Sequence, residues 1–165
     1  MKTVILIRHA KTEEWSPEKN DFERRLKSRG KSDSKLIAEL LKKEGIIPDH
    51  VISSPAHRAM ETAEIFCEIL DYPESAIQEE QDLYDGISTQ SFLNLLAGID
   101  QSKETVFVIG HNPNIYYLAA NLVHQSIHEM PTCSTLIIQF DVNRWNQLAA
   151  REGDIINHFI PKNYR

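Results

Sequence analysis

Short β-branched runs alternate with amphipathic helical stretches along this chain, and that alternation limits its fold more than any other feature. Such an order is the pattern of an α/β protein with a largely parallel central sheet between helical layers, a three-layer α/β/α sandwich. The first run, Thr3 to Ile7, passes straight into Arg8 and His9. Ser28 is the expected N-cap of the next helix, in which Leu36, Ile37, Leu40 and Leu41 form one apolar face before Gly45 stops it. A second strand, HVISS, is broken by Pro55. Residues 56–70 then carry Met60, Ala63, Phe66, Ile69 and Leu70 on a helical stripe.

A third helix is predicted over TQSFLNLLAGI. The opening pattern then repeats: the strand TVFVIG, the turn HNPN and the helix IYYLAANLV. Two strands, STLIIQFDV and DIINHFI, close the chain around a turn region at residues 143–153 and are expected to complete the sheet rather than a site. Residues 15–25, charged and poor in aliphatics, read as a loop.

Composition narrows the classes of partner. A chain of 165 residues with 41% hydrophobic content can bury one sizeable core, so residues 1–165 are expected to form a single domain. A net charge of -6 argues against a nucleic-acid surface, which needs a basic stripe. No apolar run approaches the length of about 20 residues needed to span a membrane, and none reads as an export signal. Cys67 and Cys133 stand apart, which suggests neither a disulfide framework nor a thiolate metal site and fits a reducing cytoplasm. No HExxH or similar spacing points to a metal, and no cofactor is expected.

Chemistry concentrates at strand ends. Arg8 and His9 follow the first strand, His111 follows TVFVIG, and Arg58 lies in the first turn of the helix after VISSP. In a parallel sheet these positions converge on one edge, where ligands bind. Two arginines and two histidines around one point make an anion site, and a helix N-terminus at Arg58 strengthens it. Thr12 and Asn112 are candidates for substrate contacts, though each is equally a turn residue. His50, His57, His124, His128 and His158 lack such placement and are expected to be surface or locally satisfied residues.

These pieces resemble the histidine phosphatase superfamily. LIRHAKT is similar to its Arg-His-Gly motif, DFERRLKSRG to its Arg-Pro-Leu-x-x-x-Gly element, SSPAHRAMETA to its Ser-Pro-x-x-Arg-x-x-x-Thr-Ala element, and VIGHNP to its second histidine motif. They occur in the family's order, and RHAKT with GHNP most resembles the SixA-type phosphohistidine phosphatases. Ala10 stands where the glycine is common, and Arg25 where the proline would be. The resemblance implies a phosphoglycerate mutase-like fold and a metal-independent phosphatase. His9 would be the nucleophile, kept neutral by the two arginines, with a backbone carbonyl fixing its tautomer. Arg8 and Arg58 would clamp the phosphoryl oxygens, and His111, protonated or donating, would stabilise the transition state.

The resemblance also implies a carboxylic acid after the second helix. Asp85 is at the matching offset, with Asp82 and Glu80 as competitors. A weak or absent acid would favour phosphoramidates, because an imidazole leaves with a pKa of about 6.5 whereas an alkoxide needs a strong acid. The expected partner is therefore a phosphohistidine-bearing phosphotransfer protein. The alternatives are a small-molecule phosphomonoesterase of the same superfamily and a non-catalytic phosphate-binding module.

Overall fold

The pleat of the first strand decides where the rest of the chain packs. In the computed structural model, which describes residues 1–165, β1 covers Lys2–Arg8 within a six-stranded sheet. Successive strand side chains point to opposite faces. Val4 and Leu6 accordingly enter one apolar cluster, while Ile5 and Ile7 enter another. Strand β4, Thr105–Gly110, divides the same way: Val106 and Val108 go to the first cluster, Phe107 and Ile109 to the second. Burial on both faces explains why both runs are continuously apolar.

Helices α1 (Ser28–Lys43) and α2 (His57–Ile69) cover the face of Ile5 and Ile7, through Ile37 and Leu41 of one and Ala63 and Phe66 of the other. Helices α4 (Thr89–Ala97) and α5 (Asn114–Leu122) cover the opposite face with Phe92, Leu96, Ile115 and Leu118. The strand order is β3-β2-β4-β1-β5-β6, where β2 is His50–Ser53, β3 Gln78–Glu79, β5 Thr135–Phe140 and β6 Asp154–Phe159. The first four strands are mutually parallel; β5 joins β1, and β6 joins β5, antiparallel. The sheet is thus mixed and mostly parallel, as the alternation predicts.

Two register pairs place the site. Arg8 of β1 lies opposite Gly110 of β4, and Ser53 of β2 opposite Ile109, so three strands end level at one edge. The chain leaves β1 toward the helices of one face and leaves β4 toward those of the other, which opens a crevice between them.

Local details depart from the sequence reading. The N-cap of α1 is Lys27, whose side chain makes no cap bond, and Ser28 is already helical. The cause is a backbone pairing: Lys27 N–H donates to Lys11 O at 2.9 Å, which keeps the chain extended up to Lys27. Helix α4 stops at Ala97, capped by Gly98, two residues short of the predicted end. Strand β3 and the single-turn helix α3, Asp82–Asp85, are too short for periodicity to reveal. Cys67 and Cys133 are unpaired and buried. No helix is long and apolar enough to cross a membrane.

Candidate active site

The parallel pairing of β1 and β4 puts the two histidines side by side. His9 N–H donates to Gly110 O at 3.0 Å, and the rings of His9 and His111 lie 5.1 Å apart between centroids. Arg58, the second residue of α2, reaches the same point from the neighbouring strand end. Arg8, His9, Arg58, His111, Thr12 and Asn112 all line one cleft of about 360 Å³ that has no apolar side chain in its wall. Asp85 is not among them.

His9 is buried and held in one orientation. Its Nδ1 lies 2.8 Å from Ala10 O, and because a carbonyl only accepts, the ring proton is assigned to Nδ1 and the Nε2 lone pair is left free. The loop beneath is braced twice. Ala10 N–H donates to Thr62 Oγ1 at 3.0 Å while the Thr62 hydroxyl donates to Arg58 O at 2.8 Å, and Cys133 N–H is shared between Arg8 O and His9 O. Burial pulls the His9 pKa down to about 3, against the Ala10 bond and with smaller contributions from His111, Arg58 and Arg8. The neutral ring is as expected, but desolvation comes before the arginines as its cause.

His111 is also neutral. Burial first, then Arg58, pulls it down to about 4, which removes the protonated option and leaves the donating one. Its Nε2 lies 2.7 Å from Ser54 Oγ, which accepts from Ala56 N–H at 3.2 Å. In the tautomer where the Ser54 hydroxyl donates to Nε2, the His111 ring proton lies on Nδ1, a buried atom without a partner.

The guanidinium groups of half-buried Arg8 and buried Arg58 are only partly satisfied. Arg8 Nη1 donates to Met130 O at 3.1 Å, and Arg58 donates from Nη1 to Asp21 O at 2.7 Å and from Nη2 to Asp21 Oδ2 at 3.1 Å. The Nε of each is buried and unpartnered. Unpaired buried donors are costly, and an oxyanion would satisfy them. Tyr84 and Arg24 also donate to the Asp21 carboxylate, at 2.8 and 3.1 Å. Partial burial opposes its ionisation, but Tyr84, Arg58 and Arg24 outweigh that and hold the carboxyl below its usual range.

Carboxylates sit where the sequence did not place them. Asp85 is exposed at the end of α3, accepts from Gln81 Nε2 at 3.3 Å, and lines a neighbouring groove that shares only His111 and Asn112 with the cleft. Asp82 and Glu80 line neither. The acids in the cleft wall are Glu13 and Glu14. Glu13 accepts from Lys19 at 2.7 Å and from Arg25 N–H at 2.9 Å, which holds its carboxyl ionised below the usual range.

Sequence reasoning missed Ser54, Thr62, Asp21, Tyr84 and Met130. Thr62 had a signal, since it lies one helical turn after Arg58. Asp21 and Met130 had none. Of the remaining histidines, His50 meets Gln78 Oε1 at 2.8 Å, His124 meets Asp154 at 2.6 Å, and His128 is exposed. His57 and His158 are half-buried, and each carries one buried ring nitrogen without a partner, contrary to the expectation that they are surface or locally satisfied residues. No three His, Cys, Asp or Glu side chains gather in a way that could hold a metal ion.

The wall next to Lys11 depends on one glycine. Thr12 bridges Leu26 in antiparallel fashion, and this short ribbon lies on the first turn of α1. A Cβ at Gly30 would come within 2.2 Å of Lys11 O, against backbone that cannot yield.

The family model of the histidine phosphatase superfamily (branch 1) matches residues 4–85, which include Arg8, His9 and Arg58. An uncharacterized chloroplastic protein of Arabidopsis thaliana is 26% identical over 92% of this chain and 72% of its own length. The solved structure of the protein histidine phosphatase SixA complexed with tungstate superposes with a TM-score of 0.84 at 24% identity, covering 99% of each chain. A SixA from Agrobacterium tumefaciens gives 0.81 at 23% identity, over 97% of this chain and 98% of its own. The chain thus matches the histidine phosphatase superfamily in its N-terminal motifs and carries the phosphoglycerate mutase-like fold of SixA from end to end.

Proposed function

We propose that this chain is a phosphatase that removes phosphate from phosphohistidine on a protein, through a phosphoryl group carried on His9. The observation that supports this best is a neutral, buried imidazole with Nδ1 tied to Ala10 O and Nε2 free, next to two unpartnered guanidinium N–H groups. In the first step the Nε2 lone pair attacks phosphorus and the substrate N–P bond breaks, its electron pair returning to a substrate ring that is protonated on its other nitrogen and departs as neutral imidazole. In the second, water attacks the phosphorus on His9, releasing phosphate and restoring the free ring. Arg8, Arg58 and the His111 Nδ1–H stabilise the charge spread over the equatorial oxygens. Thr12 and Asn112 shape the wall, the Thr12 hydroxyl donating to Glu13 O and one Asn112 amide N–H to Met130 O.

The leaving group decides between substrate classes. Glu13 is held ionised by Lys19 and Arg25, Glu14 is largely exposed and Asp85 lies in the adjoining groove, so the cleft offers no buried carboxyl group to protonate an alkoxide. A phosphohistidine ring protonated on its other nitrogen leaves as neutral imidazole, the conjugate base of an acid of pKa about 6.5, and needs no such acid. No step is routed through a metal. Two buried unpaired cysteines suit a reducing cytoplasm, and the acidic balance suits neither nucleic acid nor a membrane surface as partner.

The test is to incubate the protein and His9→Ala with a phosphohistidine-bearing phosphotransfer domain in the presence of a chelator, and to follow release of phosphate. Turnover by the wild type alone is the expected result. Hydrolysis of an aryl phosphate but not of the domain would move the function to a small-molecule phosphomonoesterase. Turnover of neither would leave a phosphate-binding module.

A further inference from the structure

The cleft holds more positive charge than one phosphoryl group requires. Beyond Arg8 and Arg58, its wall contains Lys11, Arg24 and Lys27, on a chain whose net charge is -6. Arg24 is engaged by Asp21 and Glu13 O. The two lysines are different. The bridge between Thr12 and Leu26, with Lys27 N–H donating to Lys11 O and Glu13 N–H to Arg25 O, sets Lys11 directly across from Lys27.

Like charges directly opposite on paired strands destabilise the pairing. Little here relieves that repulsion. Lys11 forms no ion pair, and Lys27 has only Glu14 at 3.9 Å, a side chain 90% exposed. A contact of that kind contributes almost nothing. The neighbouring Glu13, which could have relieved both, is engaged by Lys19 and Arg25.

Their type of charge points to the ligand. Exposed lysines are mobile point charges without a fixed fork, suited to carboxylates at varying positions on a protein surface. A second phosphate bound in one place would call for buried, preorganised guanidinium groups of the sort that Arg8 and Arg58 supply. We infer that Lys11 and Lys27 form a docking rim for acidic residues flanking the phosphorylated side chain of a protein substrate. The inference rests on the phosphohistidine reading above.

The experiment compares two phosphohistidine peptides, one flanked by glutamates and the other by glutamines, as substrates of the wild type and of the Lys11→Gln/Lys27→Gln double variant. An aryl phosphate serves as a third substrate. At low salt the wild type should prefer the glutamate peptide in kcat/KM by about tenfold, mostly through KM. That preference should shrink toward unity at high salt, where the Debye length falls to about 3 Å at 1 M, and in the double variant at any salt. Equal turnover of both peptides by the wild type, or a preference that survives in the double variant, overturns the rim and leaves the phosphohistidine reading intact. If neither peptide is cleaved while the aryl phosphate is, both fall together.

Discussion

Strand β1 carries a cation at each end, buried Lys2 at one and half-buried Arg8 at the other, and the two ends are treated oppositely. Lys2 is 1% exposed, and its ammonium donates to Gln101 O at 2.7 Å, Lys103 O at 2.9 Å and Glu104 Oε1 at 3.2 Å, with the Trp145 ring 5.4 Å away. An ammonium has three protons, and each has an acceptor. Arg8, six residues on, gives one bond to Met130 O and leaves Nε buried without a partner. The saturated end joins β1 to the loop before β4, while the unsaturated end lines the cleft. Incomplete satisfaction, rather than charge or burial alone, separates a site from a staple.

That contrast can be broken in order of expected effect. Arg8→Ala should lower kcat/KM on an aryl phosphate by about 10²–10³-fold, the loss typical of one oxyanion donor, with little change in urea midpoint. A large fall in stability would place Arg8 with the staples. Lys2→Met should do the reverse, costing about 2–4 kcal/mol in urea unfolding because two carbonyls lose their donor, while the folded fraction keeps its turnover. An equal loss of turnover would erase the distinction.

A third test uses pH. His9 and His111 have folded pKa values of about 3 and about 4, below the ordinary value of 6.5. Between those values the unfolded chain binds more protons, so stability is full above pH 6.5 and falls as pH drops toward 4. The slope should be about 1.4 kcal/mol per pH unit for each histidine, and His9→Gln should roughly halve it; a profile flat from pH 7 to pH 4.5 would contradict the burial of both rings. The smallest effect is expected from Asp21→Asn. It keeps the shape but weakens the hold on Arg58, which should raise KM by about tenfold, one lost charge-assisted bond, and leave the chemical step largely unchanged.

Legibility in the sequence followed how local the cause was. The main strands and helices were readable because each is long enough to show its period, and the strands of β1 and β4 are apolar on both faces. That Arg8, His9, Arg58 and His111 meet was readable because strand ends in a parallel sheet converge, and the structure brings all four to one cleft. Asp21 was hidden, since its link to Arg58 spans 37 positions and depends on a loop folding back onto α2. Met130 was hidden for the opposite reason: it contributes a backbone carbonyl, which no residue type announces. The acid was misplaced because offset along the chain does not say which groove a side chain lines, and Asp85 lines the neighbouring one. The neutrality of His9 was foreseen with its causes in the wrong order, because depth of burial cannot be read from one residue.

The pairing of Arg8 with Gly110 has a further consequence. Neighbouring strands lie about 4.8 Å apart, and the imidazole rings that follow them sit 5.1 Å apart. The gauge of the cleft is thus a lattice constant of the sheet. Changing a side chain can blunt one wall, but widening the gap would need another strand between β1 and β4, and a one-residue slip would turn a histidine to the opposite face. The opening is therefore quantised, and evolution can retune the reagents around it far more easily than it can retune its width.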